Sequence, residues 1–255
     1  MSAISEQALW EDVADGLRAS IDSGEYGPGA TLPSEKELAG QYEVSRDTVR
    51  RALGRLTQQG LLTPGRGRLG RQVRTRRKLT YYADLSESQE RIDLRRVDGV
   101  DAWVADVRDQ GASASQLIAV AVEAASPRVA ELLKIPAGEL VVVRRRVRSI
   151  NDDPHNLNDT YYLLSIAEGT PIMHPADVTQ GTIALMRDMG YVQVRNRDEI
   201  EARMPTPEEA ERLSIPPGVP VFVQYRTGYT TEKPVKLTIT IWPGDRVTLG
   251  YEFPA

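Results

Sequence analysis

Leu32-Pro33-Ser34-Glu35-Lys36-Glu37-Leu38-Ala39, followed by Ser45-Arg46-Asp47-Thr48-Val49-Arg50-Arg51-Ala52-Leu53, is the stretch that decides the fold of the first part of this chain. Ser34 stands three residues before Glu37, the spacing of a capping box, so a helix starts there. It is short, running to about Tyr42, with Leu38 and Ala39 inward. Glu43-Val44-Ser45 connects it to a further helix that Ser45 can cap. In that helix Val49, Ala52, Leu53 and Leu56 form one apolar stripe, and Gly60 ends it. Upstream, Leu9, Trp10, Val13, Leu17 and Ile21 recur at helical spacing and predict a helix over about 7–22. Gly24 and the Gly27-Pro28-Gly29 cluster stop it. Downstream, Leu61-Leu62-Thr63 and Gln72-Val73 read as two strands around a glycine-rich tip. Two short helices joined by a tight turn form a helix-turn-helix, and the hairpin makes it winged.

The charges agree with a polyanion partner. The net charge of the 255 residues is −4, but its distribution is uneven. Residues 1–78 carry 13 Lys/Arg and 10 Asp/Glu, and the rest carries 19 and 26. Between Arg46 and Lys78, 11 basic residues face one acid, Asp47. Such a local field attracts nucleic acid even on an acidic protein. Arg46, Thr48, Arg50 and Arg51 occupy the first two turns of the third helix, and the apolar stripe leaves most of them facing outward. That end of a recognition helix reaches base edges, where arginine bonds guanine bidentately. Arg66 on the tip suits phosphate or a minor groove. The run Arg74 to Lys78 reads either as a solvated linker or as a phosphate contact.

These residues resemble the DNA-binding domain of GntR-type bacterial transcription regulators, over nearly all of 8–73. The resemblance implies DNA contacts from Glu35, Lys36, Arg46, Thr48, Arg50, Arg66 and Gly67. Family wings commonly read Gly-x-Gly-Thr-aromatic-Val. Here Gly65 to Val73 is longer and has no aromatic residue.

The second half repeats itself. Ser126–Gly138 is echoed eighty residues later by Thr206–Gly218, and the echo continues into the strands that follow. Ten positions are identical across it, among them Pro127/Pro207, Ile135/Ile215, Gly138/Gly218 and Arg146/Arg226. Each copy opens with Ser or Thr capping a helix that has Pro at its first position. A turn follows, then a strand over Leu140–Ile150 or Val221–Tyr229. Further strands are expected at 192–203 and 235–242. Hairpin-connected strands in one sheet with helices to one side predict an α+β domain. Residues 83–115 are polar and receive no role.

This half resembles the UTRA effector-binding domain, over about 112–253, as in regulators of the HutC type. The resemblance implies a chorismate-lyase-like antiparallel sheet without lyase activity, a small-molecule pocket and a homodimer. It implies effector contacts from Arg146, Arg148, Asn158, Tyr161, Lys236 and Thr238. Arg146 and Arg148 share one face of a strand, so an inward face offers a guanidinium fork to an anion; an outward face is merely solvated. Family members often carry acids near 158 and 236; Asn158 and Lys236 make this pocket more favourable to anions.

The domains are expected at 1–73 (winged helix-turn-helix), 74–90 (linker) and 91–255 (effector binding and dimerisation). Without cysteine there is no disulfide or thiolate metal site, and His155 and His174 read as surface or loop residues. No metal, cofactor or catalytic residue is expected: nucleophile elbow, P-loop and dinucleotide fingerprint are all missing. The longest purely apolar run, Leu117–Val122, is far too short to span a bilayer, and Met1–Glu6 does not start a signal pattern, so a cytoplasmic protein is expected. The expectation is a non-enzymatic repressor of double-stranded DNA operators, released by a small, anionic effector. The alternative is a constitutive DNA-binding or plasmid-maintenance regulator whose second domain only dimerises.

Overall fold

The computed structural model describes residues 3–63, 70–74, 79–83, 87–88, 90, 92–93, 95 and 99–252. They fall into two compact units, Met1–Arg77 with Ser214–Val219 and Lys78–Leu213 with Pro220–Ala255.

In the first unit α1 spans Ala3–Asp22, α2 Glu35–Gln41 and α3 Arg46–Gln58. The capping box is present: Glu37 N donates to the Ser34 hydroxyl, and Ser34 N donates to the Glu37 carboxylate at 2.8 Å. Ser45 caps α3 by accepting from Thr48 N at 3.1 Å. Gly60, at φ 69°, ends α3 in the left-handed region that glycine tolerates. Val13, Leu17, Leu38, Val49, Leu53 and Leu56 close one core with Leu62 and Val73. Leu62 bridges Val73 antiparallel, so the base of the expected hairpin forms. Its tip, with Arg66 and Gly67, lies outside the described residues, as does most of the 74–78 run.

In the second unit the described residues form a six-stranded sheet. Its strands are β2 (Ala114–Ala124), β3 (Leu140–Ile150), β4 (Asp153–Leu163), β5 (Arg195–Arg203), β6 (Val221–Tyr229) and β7 (Pro234–Pro243). Their order is β2-β3-β4-β7-β6-β5, with every pairing antiparallel. A separate parallel pair joins β1 (Leu79–Tyr82) to β8 (Val247–Gly250). The helices are α4 (Ala102–Asp109), α5 (Pro127–Leu133), α6 (Leu164–Ala167), α7 (Thr182–Asp188) and α8 (Pro207–Arg212).

The repeat seen in the sequence organises this sheet. Each copy runs strand, helix, strand, strand: β2-α5-β3-β4, then β5-α8-β6-β7. The caps repeat, with Ser126 and Thr206 each accepting from the backbone three residues on. The backbone repeats too: Gly138 and Gly218 both sit at φ 83°, which explains the shared glycine. The central strands β4 and β7 pair with Asp159 opposite Ile239, Asn158 opposite Thr240 and Thr160 opposite Thr238. These partners are the eighty-residue equivalents of one another, taken crosswise. A pseudo-two-fold axis therefore passes between Asp159 and Ile239.

The position of β2 adds to the expectation: it starts at Ala114, inside the stretch left without a role. One expectation is overturned. His155 is not a loop residue; it lies buried on β4, and burial, helped by Arg246 and Arg148, lowers its pKa to about 4. His174 is exposed.

Leu56 is fully enclosed in the first core. Leu56→Ala is expected to lower the stability of that unit by about 2–5 kcal/mol. Denaturant unfolding followed by circular dichroism checks it.

Candidate DNA-reading helix and effector cavity

In the first unit, α3 is anchored by its apolar stripe, which decides where its arginines point. Arg46, Arg50 and Arg51 are exposed, and so is Lys36 on α2. Arg50 is held by Asp47 at 2.9 Å and by Glu35 at 3.4 Å, which ties the start of α2 to α3. Thr48 differs from an outward-facing reading. It is buried, and its hydroxyl lies 2.8 Å from that of Ser45, so it fixes the start of the helix. Arg71 turns inward to the Leu53 carbonyl at 3.1 Å and the Thr57 hydroxyl at 2.7 Å.

In the second unit, strand alternation separates two faces. One carries Tyr161, Tyr225 and Ile239, which pack against the core containing Val129, Leu132 and Leu133 of α5. The other is polar and forms the floor of a cavity of about 130 Å³. Two rows of side chains cross this face of the sheet, and their central members line the cavity. In register, the first is Ile118, Arg146, Asn158, Thr240, Gln224 and Ile200. The second is Val120, Arg144, Thr160, Thr238, Arg226 and Asp198. Each row is the pseudo-two-fold image of the other.

Five of the six effector residues expected from sequence line this cavity: Arg146, Arg148, Asn158, Lys236 and Thr238. Tyr161 does not. It is one residue out of phase with Asn158 and sits on the opposite face, where burial, Asp159 and Glu123 push its phenol up to about 12. Residues Glu87, Arg95, Asp101, Trp103 and Arg226 were not singled out as ligand contacts, yet they line the cavity. Arg226 carried a signal: it is the repeat partner of Arg146.

The expected guanidinium fork is not open. Arg148 lies 3.5 Å from Asp101 and stacks over the Trp103 ring at 5.0 Å. Asp101 also caps α4 and pairs with Arg95, which holds Asp177 at 2.9 Å. Burial opposes the Asp101 charge, but Arg148 and Arg95 keep its pKa below the ordinary carboxylate value. Arg226 is clasped by Asp198 through bonds of 2.8 and 2.6 Å. Arg144 is buried, its guanidinium donating to the carbonyls of Ile172, His174 and Ala176 at 2.6–2.8 Å. Lys236 donates to Glu87 at 2.7 Å. Among the described residues Arg146 reaches only Asn158 Oδ1 at 3.3 Å and Thr160 Oγ1 at 3.2 Å. Among the described residues no cluster of three His, Asp or Glu side chains suits a metal, and no helix is long and apolar enough to cross a membrane.

Glu87 is buried, which works against its charge, yet Lys236 and Arg226 hold its pKa down to about 2. A carboxylate with a lowered folded pKa stabilises the fold above its unfolded value and loses that contribution as pH falls. Glu87→Gln is therefore expected to be destabilising at pH 7. The difference from the parent chain shrinks as pH falls from 4.5 towards 2. Unfolding midpoints measured across that range check it.

Comparison with known proteins matches both units. The gntR family of bacterial regulatory proteins matches residues 9–68, and the UTRA domain matches residues 109–248. An HTH-type transcriptional regulator of Streptomyces coelicolor is 32% identical over 251 residues, covering 96% of this chain and 92% of that protein. The histidine utilization repressor of Pseudomonas putida is 29% identical over 245 residues, with the same shares, 96% and 92%. Among solved structures, PhnF from Mycobacterium smegmatis gives a TM-score of 0.56 at 25% identity, covering 95% of this chain and 99% of that one. These relatives are transcription regulators and not enzymes. The chain belongs to the GntR family of bacterial DNA-binding transcription regulators, in the branch whose second domain is the UTRA effector-binding domain.

Proposed function

We propose that the protein is a homodimeric repressor that leaves a pseudo-palindromic operator when a small anionic effector enters the cavity of its second domain. In this reading the two copies of α3 lie in successive major grooves of the operator. Arg46 reads base edges, and Arg50, steadied by Asp47 and Glu35, reaches a base or phosphate. Lys36 and Glu35 meet the DNA at the start of α2, Thr48 sets the first turn of α3, and Arg66 with Gly67 acts from the wing tip. The effector touches Arg146, Asn158, Thr238 and the row around them. The DNA-binding domain is taken as 1–73; of the 74–90 stretch expected to link it to 91–255, Leu79–Tyr82 and Glu87 belong with the effector-binding domain. Release, and not recruitment, is favoured because relatives are named as repressors.

The observation that carries this reading is the buried polar floor. Arg146, Asn158, Thr160, Gln224 and Thr240 are all buried on one face of the sheet. Burying polar and charged groups costs stability unless they are well partnered. A domain kept only for dimerisation has no use for such a floor; a domain that recognises a polar ligand does. The effector acts by preferring one of two dimer geometries, which links its binding to that of DNA.

The test is operator binding by the full chain, on a fragment from its own upstream region at fixed salt. Arg46→Ala is expected to weaken specific binding by roughly tenfold to a hundredfold. A panel of organic acids, phosphate esters and neutral metabolites is then added. A compound that dissolves the complex supports the proposal, and one that tightens it reverses the sign. Specific binding unmoved by the whole panel favours the constitutive alternative.

A further inference from the structure

The two repeats balance their shared arginine differently. In the second repeat Arg226 registers with Asp198, which grips it. Eighty residues earlier, the position beside Arg146 holds Ile118. An apolar side chain stands where the repeat partner supplies a counter-ion. Arg146 is only 8% exposed, and among the described residues it has an amide oxygen and a hydroxyl as partners but no carboxylate. The other cations lining the cavity are matched: Arg95 and Arg148 by Asp101, Lys236 by Glu87 and Arg226 by Asp198. Arg144, on the same face of the sheet, is not part of the cavity lining and commits its guanidinium to three backbone carbonyls. A buried guanidinium without a counter-ion is unfavourable by itself. Beside it lie neutral hydrogen-bonding groups, Asn158, Thr160, Thr238 and Thr240. The cavity, about 130 Å³, is close to the size of one that holds benzene.

We infer that the effector is a compact hydroxylated monocarboxylate, its carboxylate on Arg146 and its hydroxyls along the threonine and asparagine row. This rests on the ligand-gated reading above and adds the ligand's charge and class. A phosphate monoester carries nearly two negative charges, more than the cavity leaves unmatched. A neutral polyol leaves Arg146 buried without a counter-ion among the described residues.

Calorimetric titration of the full chain tests the inference. The probes are glycerate and gluconate, their neutral counterparts glycerol and sorbitol, and the phosphate esters of those polyols. At least one carboxylate is expected to bind at least tenfold more tightly than its matched alcohol and ester. Ile118→Asp builds the missing counter-ion into the chain. It is expected to abolish carboxylate binding and to raise the ligand-free melting temperature. If that variant fails to fold, Arg146→Met serves, with the same loss of binding and no fall in melting temperature. Phosphate esters or polyols that bind as tightly overturn the inference, and so does binding retained in either variant. Failure of every probe to bind overturns it as well. In that case, an operator complex dissolved by some other compound leaves the regulator reading standing.

Discussion

The pairing of β4 with β7 about Asp159 and Ile239 is the contact on which the second unit depends. It joins two strand-helix-strand-strand copies into one sheet and sets the phase of each central strand. Because side chains alternate along a strand, that phase decides which residues reach the cavity. Asn158, Thr160, Thr238 and Thr240 fall on one face together, and a slip by one residue sends all four to the other side. The side-chain bonds across this seam, Asn158 to Thr240 at 2.8 Å and Thr160 to Thr238 at 3.3 Å, hold the same register. The cavity floor and the fold's central joint are thus one structure.

The first unit was legible because its signals are local. Ser34 and Glu37 declare a helix start within four residues, and the stripe from Val49 to Leu56 needs only the helical period. The repeat was legible for a different reason: the same caps, prolines and glycines recur because the same backbone recurs, down to the φ shared by Gly138 and Gly218. What stayed hidden depends on distance along the chain. Asp101 finds Arg148 across 47 residues, and Glu87 finds Lys236 across 149, and no local pattern announces either pairing. The stretch without an assigned role supplies both acids. Tyr161 is another matter. Its wrong face follows from the period of two, given Asn158, so a motif carried over from a family outweighed a simple alternation. His155 shows how composition misleads, since a rare polar residue was read as exposed while its strand buries it.

The electrostatics of the cavity follow from how carboxylates are shared out. Asp101 serves α4 as a cap while it answers Arg148 and Arg95. Asp198 receives Arg226, Gln224 and the Tyr251 hydroxyl together. Such shared partners keep buried charges tolerable, because most of the groups taken out of water find a partner, Arg148 Nε being an exception. They also make the cations rigid, and a rigid floor discriminates between ligands better than a mobile one.

The duplication has a stereochemical consequence. A floor with true two-fold symmetry presents a ligand with two equivalent poses, head to tail and tail to head. If the two copies were separate, identical chains, any substitution would appear twice and the ambiguity would persist. Joined in one polypeptide, the copies vary independently, and Ile118 against Asp198 is such a variation. It gives the cavity a polarity, so a molecule anchored on Arg146, as proposed, has one orientation, and whatever its far end touches is set by the end it anchors.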